Sequence, residues 1–192
     1  MLSEKAKPSD AVTALIQQNG GLADHMSAKG IYKIQCHDAN GKLKWEDENH
    51  NLVVNVGLQD MNAQYFTGSA YTAAWYLGLY GAGASNTPAA GDTMSSHAGW
   101  TEVTAYSQST RPACTFGTPT TANPSVATNS ASAATFSING TTTVGGAFLT
   151  TSNTKGGTTG TLFSAADFSS PGDRSVVSGD TLTVTYTLSL AG

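Results

Sequence analysis

Ser178-Gly179-Asp180-Thr181-Leu182-Thr183-Val184-Thr185-Tyr186-Thr187-Leu188-Ser189-Leu190 is the stretch that decides the fold. After a Gly-Asp turn, apolar residues at 182, 184, 186, 188 and 190 alternate with Thr and Ser. A period of two sends successive side chains to opposite faces, so this segment reads as a half-buried strand. The same period recurs upstream. Tyr32, Ile34 and Cys36 alternate with Lys33, Gln35 and His37, and Leu43 and Trp45 resume the alternation beyond Asp38-Ala39-Asn40-Gly41. The Asn-Gly pair tolerates positive φ, which predicts a hairpin. Trp75, Leu77 and Leu79 against Tyr76, Gly78 and Tyr80 predict another strand. Residues 100–106 and 111–116 read as two strands joined by a Ser/Gln/Thr turn, with Pro112 marking an edge or a strand start. Residues 133–138 and 144–150 flank Asn139-Gly140, a second hairpin signal. Residues 162–168 and 174–177 flank the Pro171-Gly172-Asp173 turn. Eight or nine short strands without a βαβ rhythm predict a mainly β fold, an antiparallel β-sandwich or jelly-roll-like domain over residues 30–192.

Two segments depart from this period. Residues 51–66 predict one inserted helix with Val54, Leu58, Met61 and Tyr65 on one stripe, plugging an end of the β-structure. Residues 1–29 read as an N-terminal arm. Ser9 or Asp10 caps a helix of about three turns, Val12, Leu15 and Ile16 fall at helical spacing, and Asn19-Gly20-Gly21 stops it. So short a helix is marginal alone. Its stripe is expected to dock on the body or on a neighbouring chain, which makes Val12, Leu15 and Ile16 the candidate partner contacts.

Composition narrows the function classes. The chain has 192 residues, 39 % of them hydrophobic, with slightly negative mean hydropathy. No apolar run approaches the roughly 20 residues needed to span a bilayer, so no membrane partner is expected. Glu4, Lys5, Lys7 and Asp10 interrupt the first twenty residues, where a secretory signal would need an apolar run. No export is therefore expected, and synthesis in a cytoplasm is the easier reading. Two cysteines, Cys36 and Cys114, make no disulfide framework, although one bridge is possible. A net charge of −4 with no gathering of Lys and Arg argues against nucleic acid.

Charged residues are 11 % of the chain, against about 25 % in ordinary globular proteins, and they are unevenly placed. From Val103 to Ala166 only Arg111 and Lys155 carry charge. A surface of hydroxyls and small groups costs far less to desolvate than one of Lys and Glu. Wide protein contact is one reading; a stable β-domain of extracellular type with a Thr-rich exterior is the other.

Signals for chemistry are weak. His25, His37, His50 and His97 have no partner at ligand spacing, and Cys36-His37 on a strand would point to opposite faces, so no metal or other cofactor is expected. Asp92-Thr93-Met94-Ser95-Ser96-His97 holds the residue types of a hydrolase, but no Gly-x-Ser-x-Gly elbow is present. An enzyme would require Ser96 and His97 to share a carboxylate. Gly81-Ala82-Gly83-Ala84 lacks the Lys and helix start of a phosphate loop. Glu46-Asp47-Glu48 alternates in direction along an extended segment, as a solvated hairpin end does. Trp45, Trp75 and Trp100 read as core pieces before ligand platforms. The segment 81–99 is a long Gly/Ala/Ser/Asn/Pro loop of the kind usually kept for function or an interface.

Several stretches together resemble virion structural proteins of tailed bacteriophages, most of all the capsid decoration or cement proteins. They are Lys44-Trp45-Glu46, Asn51-Leu52-Val53-Val54-Asn55-Val56-Gly57-Leu58, Tyr76-Leu77-Gly78-Leu79, Asp92-Thr93, Gly99-Trp100-Thr101-Glu102, Arg111-Pro112, Gly146-Ala147-Phe148-Leu149 and Gly179-Asp180-Thr181-Leu182-Thr183-Val184. Their order covers residues 42–187. The resemblance implies a β-sandwich, not an enzyme, that sits on the outer capsid surface of the virion. It would bind the major capsid protein, bridge neighbouring subunits and self-associate as a homo-oligomer. A tail or fibre module binding a host receptor or glycan is the alternative that a neutral, aromatic-bearing surface also supports.

Overall fold

The computed structural model describes residues 26–68, 74–81, 87–168 and 172–192. Among the described residues ten strands make two antiparallel sheets that pack as a sandwich. The first sheet contains β1 (Ser27–His37), β2 (Leu43–His50), β5 (Ser125–Thr128), β6 (Ala134–Ser137) and β10 (Thr181–Ala191). Its order is β2-β1-β10-β5, with β6 also on β10. The second contains β3 (Leu52–Val53), β4 (Tyr76–Gly81), β7 (Thr142–Thr150), β8 (Leu162–Asp167) and β9 (Arg174–Val176). Its order is β3-β8-β7-β4, with β9 also on β7. One helix, α1 (Asn55–Phe66), is inserted between β3 and β4.

β10, the segment that decided the fold, lies at the centre of the first sheet. β1 pairs with it along its whole length, from Ser27↔Ala191 to His37↔Thr181. On its other edge two short strands follow one another, β6 against Thr181–Val184 and β5 against Thr187–Leu190. Asn129 fills the gap between them. Its Oδ1 accepts from Tyr186 N at 2.7 Å and its Nδ2 donates to Val184 O at 3.3 Å, so a side-chain amide replaces a missing rung of the ladder. β7 has the same plan in the second sheet, with β8 and β9 in succession along one edge and β4 along the other.

The core is made by alternation. Tyr32, Ile34 and Cys36 of β1 and Leu182, Val184 and Tyr186 of β10 meet Leu77, Leu79, Ala147, Leu149 and Phe163 of the opposite sheet. A polar tie crosses this apolar layer. Tyr32 Oη lies 2.8 Å from Ser164 Oγ, which donates to Tyr186 Oη at 3.3 Å, and Asn51 Nδ2 donates to the same phenol at 2.9 Å. Gly30 leaves room for it, because a Cβ there would run into Tyr186 and Asn51. A buried hydroxyl left alone would be costly. Linked in this way, the two tyrosines fix the register of one sheet over the other.

The residues of β4 and β7 that point away from this core are buried too. Tyr80 and Phe148 join Val54, Met94, Trp100, Leu162 and Ala165 in a second cluster. The described part of the long loop therefore works first as a lid: Met94 and Trp100 cover the outer face of the second sheet.

Four expectations need correction. Asn139-Gly140 does not close a hairpin, because β6 belongs to one sheet and β7 to the other. Neither residue has the positive φ that a type I′ turn requires; Asn139 N donates instead to Ala105 O, and the chain crosses between the sheets. Residues 100–106 and 111–116 do not form regular strands. They lie along the outer edge of β4 as single bridges, Tyr80↔Glu102 and Tyr76↔Ala113, which cap an edge otherwise open to pairing. β5 was not anticipated, since Ser125-Val126-Ala127-Thr128 has little hydrophobic contrast. Finally, only half of the stripe predicted for α1 faces inward: Val54 is buried and Met61 packs against the main core. Gly57 is the buried residue of the helix, seated against the Phe163 carbonyl where a Cβ would clash, while Leu58 and Tyr65 face outward. The Asn40-Gly41 hairpin does form, with Gly41 at φ 79° and Asp38 Oδ1 accepting from the N–H groups of Asn40 and Lys42. Val12, Leu15 and Ile16 lie outside the described residues.

Candidate functional site

The two charges of the 103–166 stretch are both engaged inside the fold. Arg111 is 1 % exposed. Its Nε and Nη2 donate to the two carboxylate oxygens of Glu102 at 2.9 and 2.7 Å, and further bonds reach the carbonyls of Ser152 and Gly157 at 2.9 and 2.8 Å. Lys155 places its ammonium 4.4 Å from the Tyr106 ring centroid and donates to the carbonyls of Tyr106 and Gln108 at 3.0 and 2.7 Å. Both cations thus pin the 151–160 loop to the segment that caps β4. What the stretch turns to solvent is Thr104, Ser107, Thr115, Thr135, Thr154 and Thr158, among similar small groups. The result is a surface with hydroxyls and without a free charge.

Charge gathers at the other side, on β2. Lys44, Glu46 and Glu48 are exposed along this edge strand, with Lys42 just before it, and such side chains discourage edge-to-edge pairing. The acidic run is split by its alternation. Glu46 meets Lys33 at 3.1 Å and Gln35, whereas Asp47 turns inward to Arg174 at 2.7 Å and so links the two sheets. Lys44 reaches Asp180, whose carboxylate also accepts from Val177 N.

A second surface feature lies beside α1. Its last turns, the end of β10 and Trp75 enclose an open apolar trough of about 450 Å³, lined by Met26, Met61, Tyr65, Phe66, Trp75 and Leu190 among others. Met26, Tyr65 and Phe66 are 67, 84 and 68 % exposed, so three of the largest exposed apolar side chains share one location. Tyr65 and Phe66 form an edge-to-face pair with centroids 4.9 Å apart. Met61 and Trp75 also line a neighbouring apolar cavity of about 600 Å³, with Cys114, Phe116, Phe163 and Leu188. Burial pushes the Cys114 thiol up to about 12 and the Cys36 thiol, also raised by Asp180, up to about 11. Both thiols are free.

The residues singled out for chemistry do not converge. Asp92 accepts from Ala89 N and Trp100 Nε1; His97 stacks on Trp100 with centroids 3.7 Å apart, its Nδ1 3.0 Å from the Trp100 carbonyl; Ser96 N donates to Thr93 Oγ1. These bonds fold the loop onto the Trp100 indole. Among the described residues no group of three or more His, Cys, Asp or Glu is placed to hold a metal ion. Trp100 is buried, and Trp45 and Trp75 pack partly against the main core. Among the described residues no helix is long and apolar enough to cross a membrane.

The helical spacing puts Tyr65 on the stripe expected to face inward, so the sequence does not reveal the trough. Adjacent helical residues point about 100° apart, so Tyr65 and Phe66 could not both face the core. Gly57, where the backbone touches β8, marks a docking face shared with Val54 and Met61 and turned away from Tyr65. Comparisons with protein-family models, with curated proteins and with solved structures return no match.

Proposed function

We propose that this chain is a non-enzymatic structural protein that binds other protein surfaces, and specifically a decoration protein bound to the outer face of a bacteriophage capsid. The observation that carries the reading is the internal engagement of Arg111 and Lys155, which leaves the exposed positions of 103–166 to uncharged residues, mostly Thr and Ser with Asn, Gly, Ala and Pro. Such a surface loses little on desolvation. It is suited to broad contact with a shell of major capsid protein, where many copies compensate for modest affinity at each site. The sequence resemblance over residues 42–187 supplies the particular partner. Val12, Leu15 and Ile16 remain the second candidate contact.

Purified protein incubated with undecorated capsids is expected to co-sediment with them and to raise their resistance to heat. Protein that stays in the supernatant at saturating concentration would sink the capsid assignment. Labelling that places it on the tail would favour the receptor-binding reading instead.

A further inference from the structure

We propose that the trough between α1 and the end of β10 is the seat of the chain's own N-terminal stripe, Val12, Leu15 and Ile16. Two observations converge on it. Exposed large apolar side chains gather there, where Met26, Tyr65 and Phe66 ring a hollow floored by Met61, Trp75 and Leu190. An apolar patch of this kind is normally covered by something. Met26, the first described residue, is itself a wall of the trough, so the preceding chain departs from its lip.

Reach and spacing fit. Ten residue steps separate Ile16 from Met26, a span of up to roughly 35 Å when extended. The stripe at 12, 15 and 16 has the spacing of one helical turn, as do Met61 and Tyr65 in the trough lining. A tether of this length holds the stripe at an effective concentration in the millimolar range. Its own trough therefore outcompetes that of a second copy at ordinary protein concentrations. This inference goes beyond the capsid reading and does not depend on it. A partner that takes up the stripe would first have to displace it.

The test uses the full chain alone, without capsids. A Gln18→Cys/Asn62→Cys variant is treated with a short bismaleimide at micromolar concentration. Asn62 is an exposed residue of the trough lining, and the native thiols are buried. The expected product is an intramolecular crosslink, formed about tenfold faster than in a Gln18→Cys/Ser178→Cys control, since tethered docking raises local concentration. Ser178 lies next to the far end of β10 from Leu190. Adding Leu15→Asp should erase that advantage while leaving the far-ultraviolet spectrum unchanged. Crosslinks only between molecules, a rate no faster than the control, or a rate indifferent to Leu15→Asp would each overturn the proposal.

Discussion

Arg111 and Glu102 form a two-pronged ion pair inside the protein, with Nε–Oε1 2.9 Å and Nη2–Oε2 2.7 Å. The pair is one half of a larger clamp. Glu102 also accepts from Gly156 N, and Arg111 also donates to Ser152 O and Gly157 O, so one guanidinium holds the cap of β4 against the 151–160 loop. Removing a single partner from a buried pair leaves the other charge uncompensated, a loss of about 3–5 kcal/mol. Arg111→Met is expected to destabilise by that amount in urea denaturation followed by tryptophan fluorescence. Arg111→Met/Glu102→Leu should recover part of the loss. A double variant as unstable as the single one would show that the lost carbonyl contacts, not the stranded carboxylate, dominate.

Tyr80 pairs with Gly146 across β4 and β7, and two residues along, Phe148 pairs with Gly78. Each aromatic ring lies over the opposing glycine, so both positions are closed to a methyl group. They differ in what the methyl would meet. At Gly78 the nearest atoms it meets all belong to the Phe148 ring, whereas at Gly146 they include the Ala166 carbonyl of the neighbouring strand. Overpacking costs about 1–3 kcal/mol. Gly78→Ala should fall at the low end and be rescued by Phe148→Leu. Gly146→Ala should fall at or above the high end, with Tyr80→Ala giving no rescue. Denaturant midpoints of the four variants decide it.

The neutral surface makes its own prediction. Thr135 and Thr154 are exposed and lie in the stretch whose two cations are turned inward. Thr135→Glu and Thr154→Glu should change stability by less than about 0.5 kcal/mol, as surface substitutions do. In capsid co-sedimentation the pair together should weaken binding about tenfold or more, because carboxylates resist the desolvation that hydroxyls permit. Full binding by the double variant would remove this surface from the contact.

Much of the fold was legible because strands with one buried face write their period into the sequence. β1, β2 and β10 were found from that alternation, and the Asn40-Gly41 turn from its chemistry. The failures came where that coupling breaks. β4 is buried on both faces, so alternation there could not reveal the second cluster that Tyr80 joins. Asn139-Gly140 has hairpin composition, yet the bonds Ile138 N to Asp180 O and Gly179 N to Ile138 O hold that corner in the first sheet. The neutral surface was legible in composition, but that Arg111 and Lys155 turn inward was not. Charge reads as solvent-facing until geometry supplies its partner.

Asn129 carries a prediction about sheet continuity. It is almost fully buried, and its amide replaces backbone groups between β5 and β6. Asn129→Ala strands Tyr186 N and Val184 O in the interior, a loss of about 1–3 kcal/mol. Asn129→Asp keeps the acceptor for Tyr186 N but offers Val184 O no donor, and it buries a charge. It should therefore be no better than the alanine variant. Hydrogen exchange at Tyr186 N is the direct readout, with protection expected to fall in Asn129→Ala while Ile34 N remains protected.

The two buried thiols set how the protein responds to alkali. In the unfolded chain each ionises near its ordinary value of about 8.5, whereas in the fold Cys36 is raised to about 11 and Cys114 to about 12. A raised folded value favours the protonated form, so the stabilisation is complete below the unfolded value and is lost as pH rises above it. From about pH 9 to 10 both thiols are largely ionised in the unfolded chain and largely protonated in the fold. Stability should then fall by about 1.4 kcal/mol per pH unit for each thiol. Tyr32 and Tyr186, also raised by burial, add to the slope once pH exceeds about 10. Urea denaturation at pH 8, 9 and 10 should give a steepening decline, and Cys114→Ala should reduce the slope between pH 9 and 10 by about a third, the rest coming from Cys36 and the buried tyrosines. An unchanged slope in that variant would mean that Cys114 ionises as easily in the fold as outside it.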